Sequence, residues 1–287
     1  MTMSAPGLKY GLVLHVASSF MPLPGSTAGI LCSYLLFYMK FHKSKGAFHE
    51  LFEFFHNFVV IFFIELYNFP MDIIFINGGN AMHVLLINGS PHEKGCTYTA
   101  LSEVATQLEK RGVSAEIFWI GNKPIRGCID CKSCWGKGAC VFDDDCVNTL
   151  IQKITAADGV VVGSPVYFGG IAGSLKCVLD RVFYDAKRLF FYKPAAAVVT
   201  CRRGGASTTF DALNKYFMIS SMPVVSSQYW NSVHGDRPEE VLADKEGMQT
   251  LRLVADNMAW LLQSKQAGPA PFEREVRVKT SFYKPEA

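Results

Sequence analysis

The sequence predicts a doubly wound α/β protein, a five-stranded parallel sheet in three α/β/α layers. Two observations carry the prediction. From Met82 onward, short apolar runs of strand length alternate with longer segments whose apolar residues recur at helical spacing. Three of those strands end in loops of small and hydroxyl residues: NGSPH at 88–92, GSPVYFGG at 163–170 and TCRRGG at 200–205. Alternation of this kind implies parallel strands joined by right-handed crossovers, with helices on both faces. Such sheets bind ligands at the carboxyl ends of their strands, at the topological switch point, so the three loops are expected to be neighbours.

The elements follow in order. HVLLIN at 83–88 is a buried strand running straight into Gly-Ser-Pro. Over 97–111 the apolar positions Leu101, Val104, Ala105 and Leu108 mark one helix face, and Gly112 supplies the stop. SAEIFWI at 114–120 is the second strand. A cysteine-rich segment follows, and 147–156 is helical in pattern. GVVVGSP at 159–165 repeats the first motif, an apolar strand and then Gly-Ser-Pro. The next helix presents Leu175, Val178, Leu179 and Val182 on one face. AAAVVTC at 195–201 is the fourth strand, 211–219 a helix, and PVVSSQYW at 223–230 the fifth strand. A last helix over 247–263 turns Met248, Leu251, Val254, Met258 and Leu261 inward. The expected domain spans 82–265. The tail from 266 to 287 has no clear period and is expected to pack on a partner.

The chain has 287 residues, 49% of them hydrophobic and 18% charged, with a formal net charge of +3. That balance suits a folded soluble protein and is too weak for a nucleic-acid partner. Nine cysteines, an odd number mostly in one cluster, do not form a secreted disulfide framework; they point to metal or redox chemistry in the cytoplasm.

Residues 1–81 differ from the rest. They hold 12 of the 22 phenylalanines and no arginine. Their longest clean apolar run, 58–64, is far short of the ~20 residues of a membrane span, and it is flanked by His56, Asn57 and Glu65. No membrane association is expected, and a signal peptide is poorly supported. Gly78-Gly79 can be encoded by a ribosome-binding sequence just upstream of Met82. The expectation is that translation starts at Met82 and that 1–81 is an upstream extension rather than a folded domain; an N-terminal membrane-associated segment is the rival.

The loop NGSPHEKGCTYTA, 88–100, joins the first strand to the first helix. Ser90, Gly95, Cys96 and Thr97 offer hydroxyls and backbone N–H groups at a helix N-terminus, a site suited to a phosphate. It is not GxGxxG, and it lacks the lysine of a P-loop. By itself it is equally a turn followed by a helix cap at Thr97.

Taken together, GSP…GCT, SPVYFGG and TCRRGG resemble the NADPH-dependent FMN reductases. These are flavodoxin-like proteins whose branches include the iron–sulfur flavoproteins. The resemblance covers 82–265. It departs from the family where Cys96 stands for the usual Asn and His92 for the usual Arg. It implies an FMN phosphate held by Ser90, Pro91, His92, Gly95, Cys96 and Thr97. It implies that Pro165, Val166, Tyr167, Phe168 and Gly169 lie along the ribityl chain and ring, with Thr200, Arg202, Gly204 and Gly205 closing the other side. Glycines there let backbone approach a flat ring closely. Tyr167 and Phe168 either stack on the ring or nicotinamide, or are core aromatics. Arg202 and Arg203 either meet a flavin carbonyl or nucleotide phosphate, or are solvated surface. No side chain is needed as an acid or base, because the cofactor carries the hydride chemistry. His83, His92 and His234 lack motif partners, and His234 is expected on a surface loop.

Cys128, Cys131, Cys134 and Cys140 make C-x2-C-x2-C-x5-C within GCIDCKSCWGKGACVFDDDC. Three thiolates two residues apart can face one point, and a fourth can reach it over Gly136 and Gly138. The pattern is compact, like a [4Fe–4S] site, and resembles that of the iron–sulfur flavoproteins. Zinc and a metal-free set of thiols remain alternatives at this level. Cys146 lies outside the set and is expected to begin a helix, with Asp143–Asp145 as a solvated N-terminal cap. The segment is expected on the same sheet edge as the flavin loops. The function implied is an FMN-dependent NAD(P)H oxidoreductase, a homodimer or homotetramer, passing electrons to a quinone, another small acceptor or the cluster. An electron carrier between protein partners and a cysteine-based redox sensor are the alternatives.

Overall fold

A computed structural model describes residues 82–276, 278 and 280. The reading of 1–81 as an extension lies outside the described residues. Five parallel strands form the sheet: β1 (His83–Asn88), β2 (Ser114–Trp119), β3 (Gly159–Tyr167), β5 (Ala195–Cys201) and β6 (Ser232–His234). Their order is β2-β1-β3-β5-β6, and the two-residue β4 (Gly170–Ile171) turns back antiparallel on β3. The order reverses between β1 and β3, which places the switch point at the ends of those two strands.

Alternation along the buried strands builds two cores. Leu85, Ile87, Val160, Val162, Ala195, Ala197 and Val199 face α2 (Val147–Ala156), α3 (Gly173–Tyr184) and α4 (Ala206–Ile219). Val84, Leu86, Val161, Ala196 and Val198 face α1 (Cys96–Lys110) and α6 (Lys245–Ala267) on the other side. A short helix α5 (Pro238–Ala243) and a 3-10 turn at Ala186–Phe190 complete the chain. Both faces are covered, as a parallel sheet requires. None of the described helices is long and apolar enough to cross a membrane.

Five expectations are corrected. PVVSSQYW is not the fifth strand. It touches β5 only through Val225, whose N–H donates to the Ala195 carbonyl, and Pro223, whose carbonyl accepts from the Ala195 N–H. The Ser227 hydroxyl then bonds the Tyr229 carbonyl and the Asn231 side chain. Local side-chain bonds of this kind draw the backbone out of a ladder. The strand resumes at Ser232, and His234 ends it rather than lying on a loop. Helix α4 begins at Ala206, five residues earlier than its apolar pattern shows, because the polar turn 206–209 carries no apolar stripe. In α6 the buried face closes on Leu262, with Leu261 only half-buried, and the helix runs to Ala267. The acidic run is not wholly solvated: Asp145 accepts from the Val147 N–H, as a cap should, but its other oxygen is buried against Arg181.

Candidate functional site

The first loop is built by buried polar groups at the end of β1. Asn88 is fully buried; its amide donates to the Glu93 carbonyl (2.9 Å) and its Oδ1 accepts from the Ser90 N–H (3.1 Å). Trp119 Nε1 donates to the Ser90 carbonyl (2.8 Å) from the end of β2. The buried Ser90 hydroxyl accepts from the His92 N–H, which leaves its own hydrogen free to donate. Helix α1 then starts after Gly95 with no side-chain cap, so its first-turn N–H groups and the dipole's positive end face the loop. Asn88 and Trp119 were not foreseen as site residues. The only signal for Asn88 was a polar residue closing an otherwise apolar run.

The second loop is a hairpin. Val166 pairs with Ile171 and Tyr167 with Gly170. Phe168 (φ 51°) and Gly169 (φ 72°) take left-handed conformations at its tip, the pattern of a two-residue hairpin turn. The Phe168 ring is fully exposed and Tyr167 half so. The buried Ser164 hydroxyl fastens the hairpin by accepting from the Ala172 N–H (3.2 Å). The core reading of Tyr167 and Phe168 therefore fails, since neither ring packs into an interior.

The third loop meets the other two. Thr97 Oγ1 lies 2.9 Å from Thr200 Oγ1 in a buried contact. Gly205 (φ 91°) sits so close to the hairpin that a Cβ there would fall 2.8 Å from both Gly169 Cα and Val166 Cγ1. Pro165 and Thr200 are direct partners in the β3–β5 register. Ser90, Thr97, Pro165–Gly169, Thr200 and Gly205 are thus gathered at one edge. Pro91 is half-buried there. His92, Arg202 and Gly204 are exposed on its rim, and the Cys96 thiol turns to the Gly235 carbonyl (3.8 Å), its pKa raised by burial. An uncapped helix N-terminus, a free hydroxyl hydrogen, glycine backbone and an exposed aromatic ring fit a phosphate joined to a flat ring system.

The cysteine segment joins the end of β2 to the start of α2 and packs along α3. Gly127 approaches Cys177, Asp185 accepts from the Gly138 N–H (2.9 Å), and Tyr184 bonds Asp130. Cys177 stands in the first half of α3, Tyr184 ends it and Asp185 lies just beyond. At 1.5 Å per residue, Asp185 stands ~18 Å along the axis from the start of α3 at the hairpin. The segment's two ends, after β2 and before α2, stand at the carboxyl edge of the sheet, and its middle runs out along α3. Arg181, its side chain 1% exposed, holds the segment: Nε donates to Cys140 Sγ (3.4 Å), Nη1 to Asp145 and the Arg126 carbonyl (3.3 Å), and Nη2 to the Phe142 carbonyl (3.1 Å). Asn148 grips the Cys140 backbone, accepting from its N–H (2.8 Å) and donating to its carbonyl (3.0 Å). Asp130 and Lys132 flank Cys131 with left-handed φ of 52° and 59°, uncommon for non-glycine residues and costing of order 1–3 kcal/mol each. Hydrogen bonds from Ser133 hold Cys131 below the usual thiol value, whereas burial and then Asp185 raise Cys134, and burial and then Asp145 raise Cys146. Cys146 stands at the N-cap of α2, as expected.

Cys128, Cys131, Cys134 and Cys140 line one pocket with Arg181 and Tyr184, and all are free thiols. Among the described residues no three His, Cys, Asp or Glu side chains converge on a single ion. Four cysteine thiols lining one pocket are the donor set that a [4Fe–4S] cluster takes, and also one that zinc accepts.

Comparison with known proteins agrees with this geometry. The NADPH-dependent FMN reductase family matches residues 82–236. An iron–sulfur flavoprotein of Methanocaldococcus jannaschii is 32% identical over 62% of this chain and 96% of its own length. One from Methanosarcina thermophila is 30% identical over 63% and 96%. An FMN reductase (NADPH) of Pseudomonas putida is 29% identical over 34% of this chain and 46% of its own. Among solved structures, RosB with a bound 8-demethyl-8-formylriboflavin 5'-phosphate superposes with a TM-score of 0.53 at 15% identity, over 72% of this chain and 95% of that one. These two chains share the fold.

Proposed function

Since the chain belongs to the NADPH-dependent FMN reductase family, we propose that this NAD(P)H-dependent, FMN-containing oxidoreductase passes electrons to a quinone or other small acceptor and carries a [4Fe–4S] cluster on Cys128, Cys131, Cys134 and Cys140. The observation that carries the flavin assignment is the closure of three loops on one edge, by the Thr97–Thr200 contact and the Gly205–Gly169 approach.

The bound flavin supplies hydride acceptance and one-electron donation. The chain's own residues bind and orient. The Ser90 hydroxyl and the first-turn N–H groups of α1 hold the phosphate dianion. The 165–169 hairpin lays backbone along the ring, and Phe168 offers its face to the ring or to the nicotinamide. Arg202, exposed beside it, offers charge to a nucleotide phosphate. No histidine or carboxylate is required as an acid or base. The cluster reading rests on the four thiols of one pocket and on the names of the relatives. A homo-oligomer in the cytoplasm completes the proposal.

The test is anaerobic purification followed by an absorption spectrum, iron analysis and steady-state NADPH oxidation with quinones. Flavin bands, iron in cluster stoichiometry and quinone-dependent turnover are expected. A colourless protein that takes up no added FMN would sink the flavin assignment. Flavin without turnover on any small acceptor would favour the electron-carrier alternative.

A further inference from the structure

We infer that Arg181 is the positioning residue for the Cys140 thiolate and that its charge sets the reduction potential of the cluster held there. This rests on the cluster reading proposed above. Arg181 is nearly the sole polar side chain on the buried face of α3, among Leu175, Val178, Leu179, Val182 and Phe183. A buried arginine–carboxylate pair is poor evidence of stabilisation, because apolar residues of like volume commonly serve as well or better. Its partners indicate another role. Every guanidinium contact goes to the cysteine segment, at Arg126, Cys140, Phe142 and Asp145. With Asn148 gripping its backbone from α2, Cys140 is fixed from two helices, whereas Cys128 and Cys131 are exposed.

The bond from Nε to Sγ places a buried positive charge at a ligand sulfur. Hydrogen bonds and charge at ligand sulfurs are principal determinants of cluster potential. Reduction adds negative charge, so Arg181 favours the reduced cluster and Asp145 opposes it. A residue that merely fastened the segment would produce no such opposition.

The experiment uses the anaerobically prepared holoenzyme and its Arg181→Gln, Arg181→Lys and Asp145→Asn variants. Iron and FMN content are measured, and the cluster potential is read by redox titration with electron paramagnetic resonance. Arg181→Gln is expected to shift the reduced-to-oxidised ratio at a set potential about tenfold toward oxidised, or about 59 mV for one electron. Asp145→Asn is expected to shift it toward reduced, and Arg181→Lys to stay nearer the wild type. With iron retained, no shift in either residue's variants, or shifts of the same sign, would overturn the inference alone. Should Arg181→Gln lose its iron or its fold, Asp145→Asn decides: an upward shift supports the role, and none or a downward one overturns it. A wild-type protein with FMN but no iron overturns the cluster reading and this inference with it.

Discussion

Thr97 Oγ1 and Thr200 Oγ1 lie 2.9 Å apart, both residues buried, across 103 residues of sequence. One hydroxyl stands in the first turn of α1 and the other at the end of β5, so a single contact joins the 88–97 loop to the 200–205 loop.

Replacing Thr97 with Val is therefore expected to leave the Thr200 hydroxyl unpaired, at a cost of ~1–3 kcal/mol. Changing both threonines to Val should cost less than the two single changes added, because the double variant leaves no orphan. Urea unfolding of the four proteins closes the cycle. Strict additivity would show that the contact couples nothing. FMN affinity should fall in each single variant.

Gly205→Ala tests the approach between loops. The residue has φ 91°, and a Cβ would meet Gly169 Cα and Val166 Cγ1 at 2.8 Å. Backbone cannot yield as a flexible side chain can, so the hairpin must move. The expected result is at least tenfold weaker FMN binding together with ~1–3 kcal/mol of lost stability. Gly112→Ala is the control: its φ is 75°, but no atom stands within 4 Å of the added carbon. It should lose stability alone. Equal FMN affinity in both variants would count against the loop contact.

These contacts mark where sequence reading stopped. The strands and helices were visible because Val160–Val162 and Leu175–Val182 follow fixed periods against a common core. The three loops were visible because Gly, Ser and Pro at strand ends leave few alternatives. The fifth strand was misplaced, since Val224 and Val225 look like strand while the pairing residues Ser232–His234 look like loop; only the bonds of Ser227 explain the detour. Arg181 was missed because a charge beside an apolar stripe reads as its solvated border, and its partners lie 36–55 residues away. The path of the cysteine segment along α3 was hidden for the same reason: nothing local encodes Asp185 receiving the Gly138 N–H.

Phe168 separates function from stability. Its ring is fully exposed, and its left-handed φ of 51° is unfavourable for a bulky residue. Phe168→Ala should leave the unfolding free energy within ~0.5 kcal/mol of the wild type. It should nonetheless weaken FMN retention or raise KM for NADPH several-fold, since the ring has no structural partner to serve. Unchanged kinetics and cofactor content would remove Phe168 from the site.

Asp256 links pH to α1, the helix that follows the 88–95 loop. Its carboxylate in α6 accepts from Gln107 of α1 (2.7 Å) and from Arg111 at that helix's C-cap (2.8 and 3.1 Å), and the Arg111 bond chiefly holds its pKa below the usual value. The unfolded chain then takes up the proton first. The pair's stabilisation is complete above pH ~3.9 and is lost as pH falls through the lower folded value. Arg111 is exposed to solvent, so screening keeps the effect small. Asp256→Asn should be less stable than wild type at neutral pH, and the gap should close in acid. A gap that stayed constant from neutral to strongly acid would refute the linkage.

Single Cys→Ser changes test the ligand set directly. Cys128, Cys131, Cys134 and Cys140 share a pocket, whereas Cys146 is the N-cap of α2 and packs on the core. Each of the first four changes should abolish or sharply lower iron content, because a hydroxyl is a harder and far less acidic ligand than a thiol. Cys146→Ser should retain iron. FMN content should be unchanged in all five, since Arg181 and Tyr184 near the end of α3 line the pocket of thiols, whereas the proposed flavin loops stand at the start of that helix. Iron lost with Cys146→Ser but kept with Cys140→Ser would move the fourth ligand six residues along the chain. Arg181 would then point at a bystander, and the role argued for it would go with the assignment of Cys140.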